Sequence, residues 1–171
     1  MADRSDALRL ALASIVFAAA ALASARGFAA ESVVYQKQCA VCHQAAGHGV
    51  AGVYPPLADS VGAYLRVAAG RRYLESVVIF GMSGPIEVAG QTYDGLMLPH
   101  SELSDAQLAS VLNFVLESFN AKLLPATFKP IAPAEIERAR AAHLTASDLG
   151  RQRQAMLDAL KHVAGASAVS R

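Results

Sequence analysis

The chain has 171 residues and a formal net charge of +1, and its composition is apolar but poor in aromatic side chains. Apolar residues make up 54% and aromatic residues 6%, there is no Trp, and 36 residues are alanine. With only 17% charged residues the chain lacks the basic surface of a strongly electrostatic nucleic-acid binder, and it is too apolar to be mostly disordered. Burying a methyl group stabilises a fold far less than burying Leu or Phe, so we expect something besides aliphatic packing to help fill this interior.

The first 25 residues have the features of a secretory signal peptide. Met1–Arg9 carries two Arg and two Asp, and Leu10–Ala25 is an uncharged run of 16 residues that ends in Ala23-Ser24-Ala25. These small residues fit the cleavage rule, and a cut after Ala29 fits it too. The alternative is a retained membrane anchor, but the run is shorter than the ~20 residues that span a bilayer. We expect export to the periplasm and no stable membrane span after cleavage.

A helix is predicted from Ser32, its cap, through Gln38 into a motif that holds both cysteines, Cys39-Ala40-Val41-Cys42-His43. A Cys-x-x-Cys pair occurs in zinc sites, redox dithiols and haem attachment sites. Zinc would need two further ligands at similar spacing, and a thioredoxin-like dithiol would need a βαβ context, which is absent from the surrounding sequence. The histidine favours haem, because two thiols three residues apart can bond the vinyl groups of one porphyrin while the next residue brings an imidazole to the iron. We therefore predict one covalent haem c on Cys39 and Cys42, with His43 as an axial ligand.

Between this motif and residue 80 the sequence predicts a loop and two short helices. Ala45–Val53 is rich in glycine, which favours irregular backbone, and this loop is a candidate rim for partner contact. Asp59–Ala69 and Arg71–Phe80 have helical patterns that Gly70 separates. A small β-hairpin is predicted next, with strands Ile86–Val88 and Gln91–Tyr93 joined by Ala89-Gly90.

A second protein ligand to the iron would favour electron transfer over gas binding or oxygen chemistry. Met97 is the first candidate, because Tyr93–Pro99 is predicted to be irregular backbone directly before a helix, which gives a ligand loop both reach and a rigid anchor. Met82 and Met156 are interpreted as core residues. His100 is the rival ligand, three residues after Met97. The other histidines outside the motif are interpreted as surface residues: His48, His143 and His162.

The next helix begins after a predicted capping box that pairs Ser104 with Gln107. Apolar side chains at i, i+3, i+4 and i+7 spacing predict a core face. This face contains Leu108, Val111, Leu112, Val115, Leu116 and Phe119. Phe114 lies beside it, and we expect it to meet Tyr35 where this helix crosses the first one.

After Lys122 the pattern changes to a linker with three prolines, which cannot continue a helix. Ala134–His143 is then predicted to be a helix, Thr145 is predicted to cap another that runs to about Val163, and Ala164–Arg171 is expected to fray. The last helix carries a weak apolar stripe of Leu149, Met156, Leu160 and Val163. Residues 124–171 are thus predicted to extend a domain of residues 31–123. Two interpretations stay open: a solvated appendage, or a segment that wraps the domain or docks on a partner.

The order of these motifs resembles that of the class I cytochromes c. More narrowly, the chain is similar to small exported bacterial monohaem cytochromes c that serve as electron-transfer subunits or partners of periplasmic oxidoreductases. The resemblance covers about residues 31–120. It depends on Cys39–His43, Tyr54–Leu57, Tyr93–Met97, and Leu103–Asp105 followed by an amphipathic helix.

This resemblance implies an all-α fold around one covalent haem, with His43 as the proximal iron ligand and Met97 as the distal one. It also implies that the carbonyl of Pro55 orients the proximal imidazole and that Leu57 packs against the porphyrin. The leading function is electron transfer without substrate chemistry, between a periplasmic dehydrogenase or reductase and the respiratory chain. The alternative is a haem enzyme or sensor, such as a peroxidase or gas sensor, with an open or His100-ligated sixth site. A haem-free binding module would require the cysteine motif to be a coincidence.

Overall fold

A computed structural model of the protein describes residues 33–169. The predicted signal peptide and the predicted Ser32 cap lie outside these residues. The helices are α1 (residues 33–38), α2 (Ala40–His43), α3 (Ala68–Phe80), α4 (Asp105–Asn120), α5 (Pro133–Arg140) and α6 (Ala146–Val169), with 3-10 turns at Val61–Arg66 and Ala121–Leu123. Strands β1 (Met82–Val88) and β2 (Gln91–Met97) form an antiparallel hairpin. The predicted helical fold with a small hairpin is confirmed. Across the described residues, the helices are too short or too polar to cross a membrane.

The hairpin is longer than the sequence pattern predicts. Its turn is the predicted Ala89-Gly90 pair, in which both residues have positive φ (51° and 78°), as a two-residue hairpin turn requires. Pairing then continues as far as Met82 and Met97, which lie opposite each other. Pro85 is tolerated because each strand of a two-stranded ribbon has a free edge. The prediction that Met97 lies in irregular backbone, and Met82 in a turn-rich segment, was therefore wrong.

The break between the two predicted helices falls at Val67 rather than at Gly70. Val67 has extended backbone (φ −131°, ψ 144°) and precedes the first residue of α3. Gly70 lies in the first turn of α3, where a Cβ atom would come within 2.0 Å of the Tyr64 carbonyl oxygen. Glycine is needed here for close packing against the preceding 3-10 turn, not to end a helix.

Helix α4 forms as predicted and crosses α1. The Ser104–Gln107 capping box is present, with the Gln107 N–H donating to Ser104 Oγ and the Ser104 N–H donating to Gln107 Oε1 (3.3 and 3.0 Å). The predicted core face of α4 is buried, apart from Phe119, which is half-buried. Tyr35 is fully buried in the crossing, with ring centroids 5.4 Å from Phe114 and 5.2 Å from Phe119. The predicted Tyr35–Phe114 contact is confirmed.

The residues after α4 pack into the same core. Four of their apolar side chains are at most 2% exposed: Ile131, Ile136, Leu149 and Met156. Helix α5 ends earlier than predicted, and α6 continues beyond Val163 through residues that were expected to fray. The predicted Thr145 cap is present, since the Asp148 N–H donates to Thr145 Oγ1 at 3.2 Å. These contacts exclude the interpretation of this segment as a solvated appendage.

Candidate haem-binding site

Cys39 lies between α1 and α2, and Cys42 follows three residues later within α2. The Cys39 N–H donates to the Tyr35 carbonyl, and the His43 N–H donates to the Cys39 carbonyl, both at 2.9 Å. Residues three apart in helical backbone lie on one side, so the thiols of Cys39 and Cys42 share a face. Neither forms a disulfide, and both are partly buried. Burial, with a smaller effect of Cys42, raises the pKa of the Cys39 thiol to about 11 before haem is attached.

His43 is held in one orientation and kept neutral. Its side chain is buried, with 8% of the residue exposed, and Nδ1 lies 2.9 Å from the Pro55 carbonyl oxygen. Because a carbonyl can only accept a hydrogen bond, Nδ1 carries the proton and Nε2 keeps its lone pair. Burial lowers the pKa of this imidazole, the Pro55 hydrogen bond opposes that shift, and nearby His100 adds to it. A neutral ring with a free Nε2 is the form that binds iron.

The glycine-rich loop sets the position of the Pro55 carbonyl. The Gly49 N–H donates to the His43 carbonyl at 2.9 Å, and a short antiparallel bridge joins Val50 to Tyr54. A Cβ atom on Gly49, which has φ +65°, would lie 2.3 Å from the Tyr54 carbonyl oxygen. Glycine at this position lets the chain fold back close enough for Pro55 to reach the imidazole. The resemblance implied the contact between the Pro55 carbonyl and His43, which is present, but the sequence predicted only an irregular loop and not the bridge that positions it.

Leu57 follows on the same segment and is half-buried against the core. Its N–H donates to the Gly47 carbonyl at 2.8 Å, and its carbonyl accepts from Asn120 Nδ2 at 3.0 Å. The segment from Pro55 to Leu57 is therefore held by hydrogen bonds to two parts of the chain, the glycine-rich loop and the end of α4.

The hairpin brings two thioethers together at its open end. Met82 and Met97 are directly opposite in the antiparallel ladder, and opposite residues lie on the same face of a sheet. The Tyr73 hydroxyl donates to the Met82 sulfur at 3.2 Å. Among residues 33–169, no hydrogen bond reaches the sulfur of Met97. A Cβ atom on Gly81 would lie 2.4 Å from the Met97 carbonyl oxygen, so this glycine permits the close approach of the two chain segments.

His100 lies in the same region as His43. Its N–H donates to the Val78 carbonyl at 3.1 Å, and its Nδ1 is 3.6 Å from Glu102 Oε1. Electrostatic repulsion from His100 contributes to the lowered pKa of His43. The three histidines interpreted as surface residues are exposed, as predicted: His48, His143 and His162.

Three residues that support this region were not predicted from the sequence. Asn120 holds the Leu57 carbonyl, Tyr73 holds Met82, and Arg153 is buried beside Tyr73. Arg153 could have been recognised, because it interrupts the apolar stripe of α6 between Leu149 and Met156, where a charged residue is unusual. Asn120 and Tyr73 carry no comparable signal in the sequence.

The chemistry of this site fits a haem c. Two thiols share one side of a helical turn, a buried neutral imidazole directly follows them, and the hairpin supplies soft sulfur donors. Apolar side chains are exposed both at the cysteine motif and at the end of β2. Val41, between the cysteines, is 74% exposed, and Leu96 and Leu98, beside Met97, are 65% and 63% exposed. The porphyrin is itself a large apolar group, and such surfaces suit its contacts and those of a partner.

A family model for cytochrome c matches residues 29–118. One cytochrome c-552 of Thermus thermophilus is 37% identical to this chain over 137 residues, which cover 80% of this chain and 89% of that protein. Another cytochrome c-552 of the same species is 40% identical over 108 residues, 63% of this chain and 82% of its own length. The chain therefore belongs to the cytochrome c family.

Within that family it is a class I c-type cytochrome, with covalently bound haem c and a function in haem-based electron transfer. The 137-residue match is longer than the segment covered by the family model. In a chain of 171 residues, a match of that length must include positions 35–137, and so it reaches α5.

Proposed function

We propose that this protein is an exported electron carrier in which Cys39 and Cys42 bind the haem by thioether bonds and His43 and Met97 are the axial iron ligands. Residues 1–25 act as the signal peptide, residues 31–123 are the cytochrome domain, and residues 124–171 are an extension, which packs on the domain through its described residues. The protein passes electrons between a periplasmic dehydrogenase or reductase and the respiratory chain, and it performs no substrate chemistry of its own.

The observation that carries this proposal is the hydrogen bond between His43 Nδ1 and the Pro55 carbonyl, at 2.9 Å. It fixes the tautomer and the ring orientation of a buried imidazole next to two free thiols, and hydrogen bonds of this kind usually orient metal-bound histidines. Pro55 therefore acts as the positioning residue for the proximal ligand, and Leu57 supplies apolar packing on the same segment.

Met97 is favoured over Met82 as the distal ligand because the two sulfurs have different surroundings. Met82 already accepts a hydrogen bond from Tyr73, whereas Met97 ends β2 without one among the described residues. The Gly81 contact and the ladder hold the end of β2 in place, so the ligand keeps its position when the charge on the iron changes.

The bound haem supplies the one-electron chemistry of its iron. The protein contributes one fixed nitrogen donor, one fixed sulfur donor, and burial. A thioether donor and an apolar environment favour the ferrous state, which raises the reduction potential. The exposed side chains of Val41, Leu96 and Leu98 provide a small apolar surface for the brief contacts that redox partners make.

Two matched variants of the holoprotein test the ligand assignment. Thioether bonding to ferric haem iron gives a weak charge-transfer band in the far-red absorption spectrum, and we expect Met97→Ala to lose it. Met82→Ala, which removes the opposite thioether, should retain the band. Loss of the band in Met82→Ala alone would contradict the assignment.

His100 offers the specific alternative, because it lies near His43 and three residues after Met97. If His100 is the sixth ligand, the wild-type ferric protein shows a low-spin spectrum without the thioether band, and His100→Ala converts it to a high-spin spectrum. A high-spin wild-type spectrum would instead favour an open site and an enzyme or sensor function.

A further inference from the structure

Arg153 is a buried cation in the core of the described structure. The residue is 7% exposed and lies on α6, between the fully buried Leu149 and Met156. One of its terminal nitrogens donates to the Glu87 carbonyl oxygen at 2.6 Å, and its guanidinium lies beside the Tyr73 hydroxyl. Charged side chains are almost never buried without a charged partner, because the loss of hydration costs several kcal/mol.

The two groups known to contact Arg153 among the described residues are neutral. Glu87 contributes its backbone carbonyl and Tyr73 its hydroxyl. Burial raises the pKa of that phenol to about 12, although the guanidinium opposes the rise, so Tyr73 is un-ionised at neutral pH. Within residues 33–169, no carboxylate forms an ion pair with Arg153, whereas Arg71 has two such partners and Arg140 and Arg151 have one each. Among these residues, no carboxylate neutralises the positive charge of Arg153.

A short chain of contacts connects this charge to the candidate ligand. Arg153 lies beside the Tyr73 hydroxyl, that hydroxyl donates to the Met82 sulfur at 3.2 Å, and Met82 is the cross-strand neighbour of Met97. Opposite residues in an antiparallel ladder have Cα atoms about 5 Å apart. The Glu87 carbonyl lies near the turn of the hairpin, opposite the end that carries Met97, but the Tyr73 hydroxyl connects the guanidinium to the Met82 side chain, in an interior of low effective dielectric.

We propose that Arg153 raises the reduction potential of the haem iron, and that the C-terminal extension serves electron transfer by bringing this buried charge to the site. The reaction affected is the gain of one electron from a redox partner by ferric iron to give ferrous iron, with no bond formed or broken. The added electron lowers the positive charge of the iron centre, so a nearby fixed cation favours the ferrous product. An Arg side chain keeps its charge throughout the physiological pH range. The same positive charge is therefore present with ferric and with ferrous iron. The proposal rests on the proposed function, in which Met97 is the distal ligand, and the far-red band tests that assignment separately from the potential.

The test compares three variants of the full holoprotein by spectroelectrochemical titration. Arg153→Met removes the buried charge and keeps a long apolar chain, Arg153→Lys keeps the charge, and Arg151→Met is the matched control. Arg151 lies two residues away on α6 with its side chain 70% exposed, bonded to Asp148. At a fixed ambient potential, we expect Arg153→Met to lower the ferrous-to-ferric ratio about tenfold, which is about 59 mV for one electron. Arg153→Lys should stay near the wild-type ratio, and Arg151→Met should change it less than about twofold, with the change lost at high salt.

Two results would overturn the proposal. One is an equal shift in Arg153→Met and Arg151→Met, and the other is a shift in Arg153→Lys as large as that in Arg153→Met, which would assign the effect to packing rather than charge. If Arg153→Met does not fold, Arg153→Gln, which keeps a donor for the Glu87 carbonyl, makes the same comparison. The far-red thioether band is recorded for every variant. Its absence from wild type would contradict the Met97 assignment alone, because the potentials still test Arg153 in any protein with haem attached.

Discussion

Asn120 is the residue that ties the end of α4 to the segment carrying Pro55 and Leu57. It is 1% exposed, and its amide makes four hydrogen bonds of 3.0 Å. Oδ1 accepts from the backbone N–H groups of Ser60 and Gly62, and Nδ2 donates to the carbonyls of Leu57 and Val115. All the usual donor and acceptor positions of the amide are therefore used.

We expect Asn120→Ala to lower the free energy of unfolding by about 3 kcal/mol, because it leaves several buried backbone groups without partners. Guanidinium chloride unfolding at neutral pH measures the change. Gln91→Ala is the control, since its exposed amide bonds only to the neighbouring Thr92 carbonyl, and we expect a change within about 0.5 kcal/mol. If Asn120→Ala changed the free energy of unfolding as little as Gln91→Ala does, the hydrogen bonds of Asn120 would not stabilise the fold.

At the residue scale, the sequence predicts features that are formed by residues close to one another in the chain. The cysteine motif and the buried face of α4 follow from residues a few positions apart. The partners of Asn120 on the Leu57–Gly62 segment are 58 to 63 positions away, and nothing in the local pattern of an Asn at the end of a helix indicates them. The same limit applies to the Tyr73–Met82 hydrogen bond, because it requires α3 to pack against the hairpin.

At the scale of elements, Arg71 joins α3 to the segment that leads into α5. Its guanidinium donates to both carboxylate oxygens of Glu135 at 2.8 Å and to the carbonyls of Lys129 and Pro130 at 2.8 and 3.0 Å. Glu75, one turn along α3, is buried, and one of its oxygens lies 3.5 Å from Arg71 Nε without a hydrogen bond from the described residues. One guanidinium thus faces two carboxylates in different environments.

The two carboxylates should affect stability with opposite pH dependence. The Arg71 hydrogen bond lowers the pKa of Glu135, so its contribution is complete above the ordinary Glu pKa and is lost as the pH falls through the lower folded value. Burial raises the pKa of Glu75, so the folded state is favoured at low pH and loses that advantage as the pH rises through the higher folded value.

Glu135→Gln should therefore cost about 1–2 kcal/mol at neutral pH, as expected for a charge-assisted pair at a partly exposed site, and the cost should shrink on acidification. Glu75→Gln should gain stability relative to wild type as the pH rises from acid to neutral. Unfolding free energies of the two variants at matched pH values provide the comparison. Parallel pH profiles would contradict the assigned environments.

The turn of the hairpin can be predicted from local sequence, but the length of its strands cannot. Its turn follows from Ala89-Gly90, whose backbone conformation is local, and this part was predicted. The outer half of the ladder contains Gly84, Pro85 and Gly95, which indicate turns when judged alone. It is held by contacts with other parts of the chain, such as the Gly81–Met97 approach and the Tyr73 hydrogen bond, and so its length could not be read from the strand pattern.

At the scale of the whole molecule, the low content of large side chains is offset from two sources. The covalent haem adds a large apolar group that a composition count omits. The extension adds Ile131, Ile136 and Met156, each at most 2% exposed, to the domain core, and Leu149 is also fully buried. If these contacts form one cooperative core, the haem region and α6 unfold together.

Met156→Ala tests that cooperativity from the side of α6. Truncating a fully buried Met leaves a cavity, so we expect a loss of about 2–5 kcal/mol. Because α6 packs against α3 and β1, the loss should shift the unfolding midpoint equally whether it is followed by far-ultraviolet circular dichroism or by haem absorption. Gln154→Ala, on the exposed face of the same helix, should leave both midpoints nearly unchanged. A Met156→Ala protein whose helical signal falls while its haem signal keeps the wild-type midpoint would mean that the extension unfolds as a separate unit, and a tail that opens separately could not hold Arg153 beside the haem site.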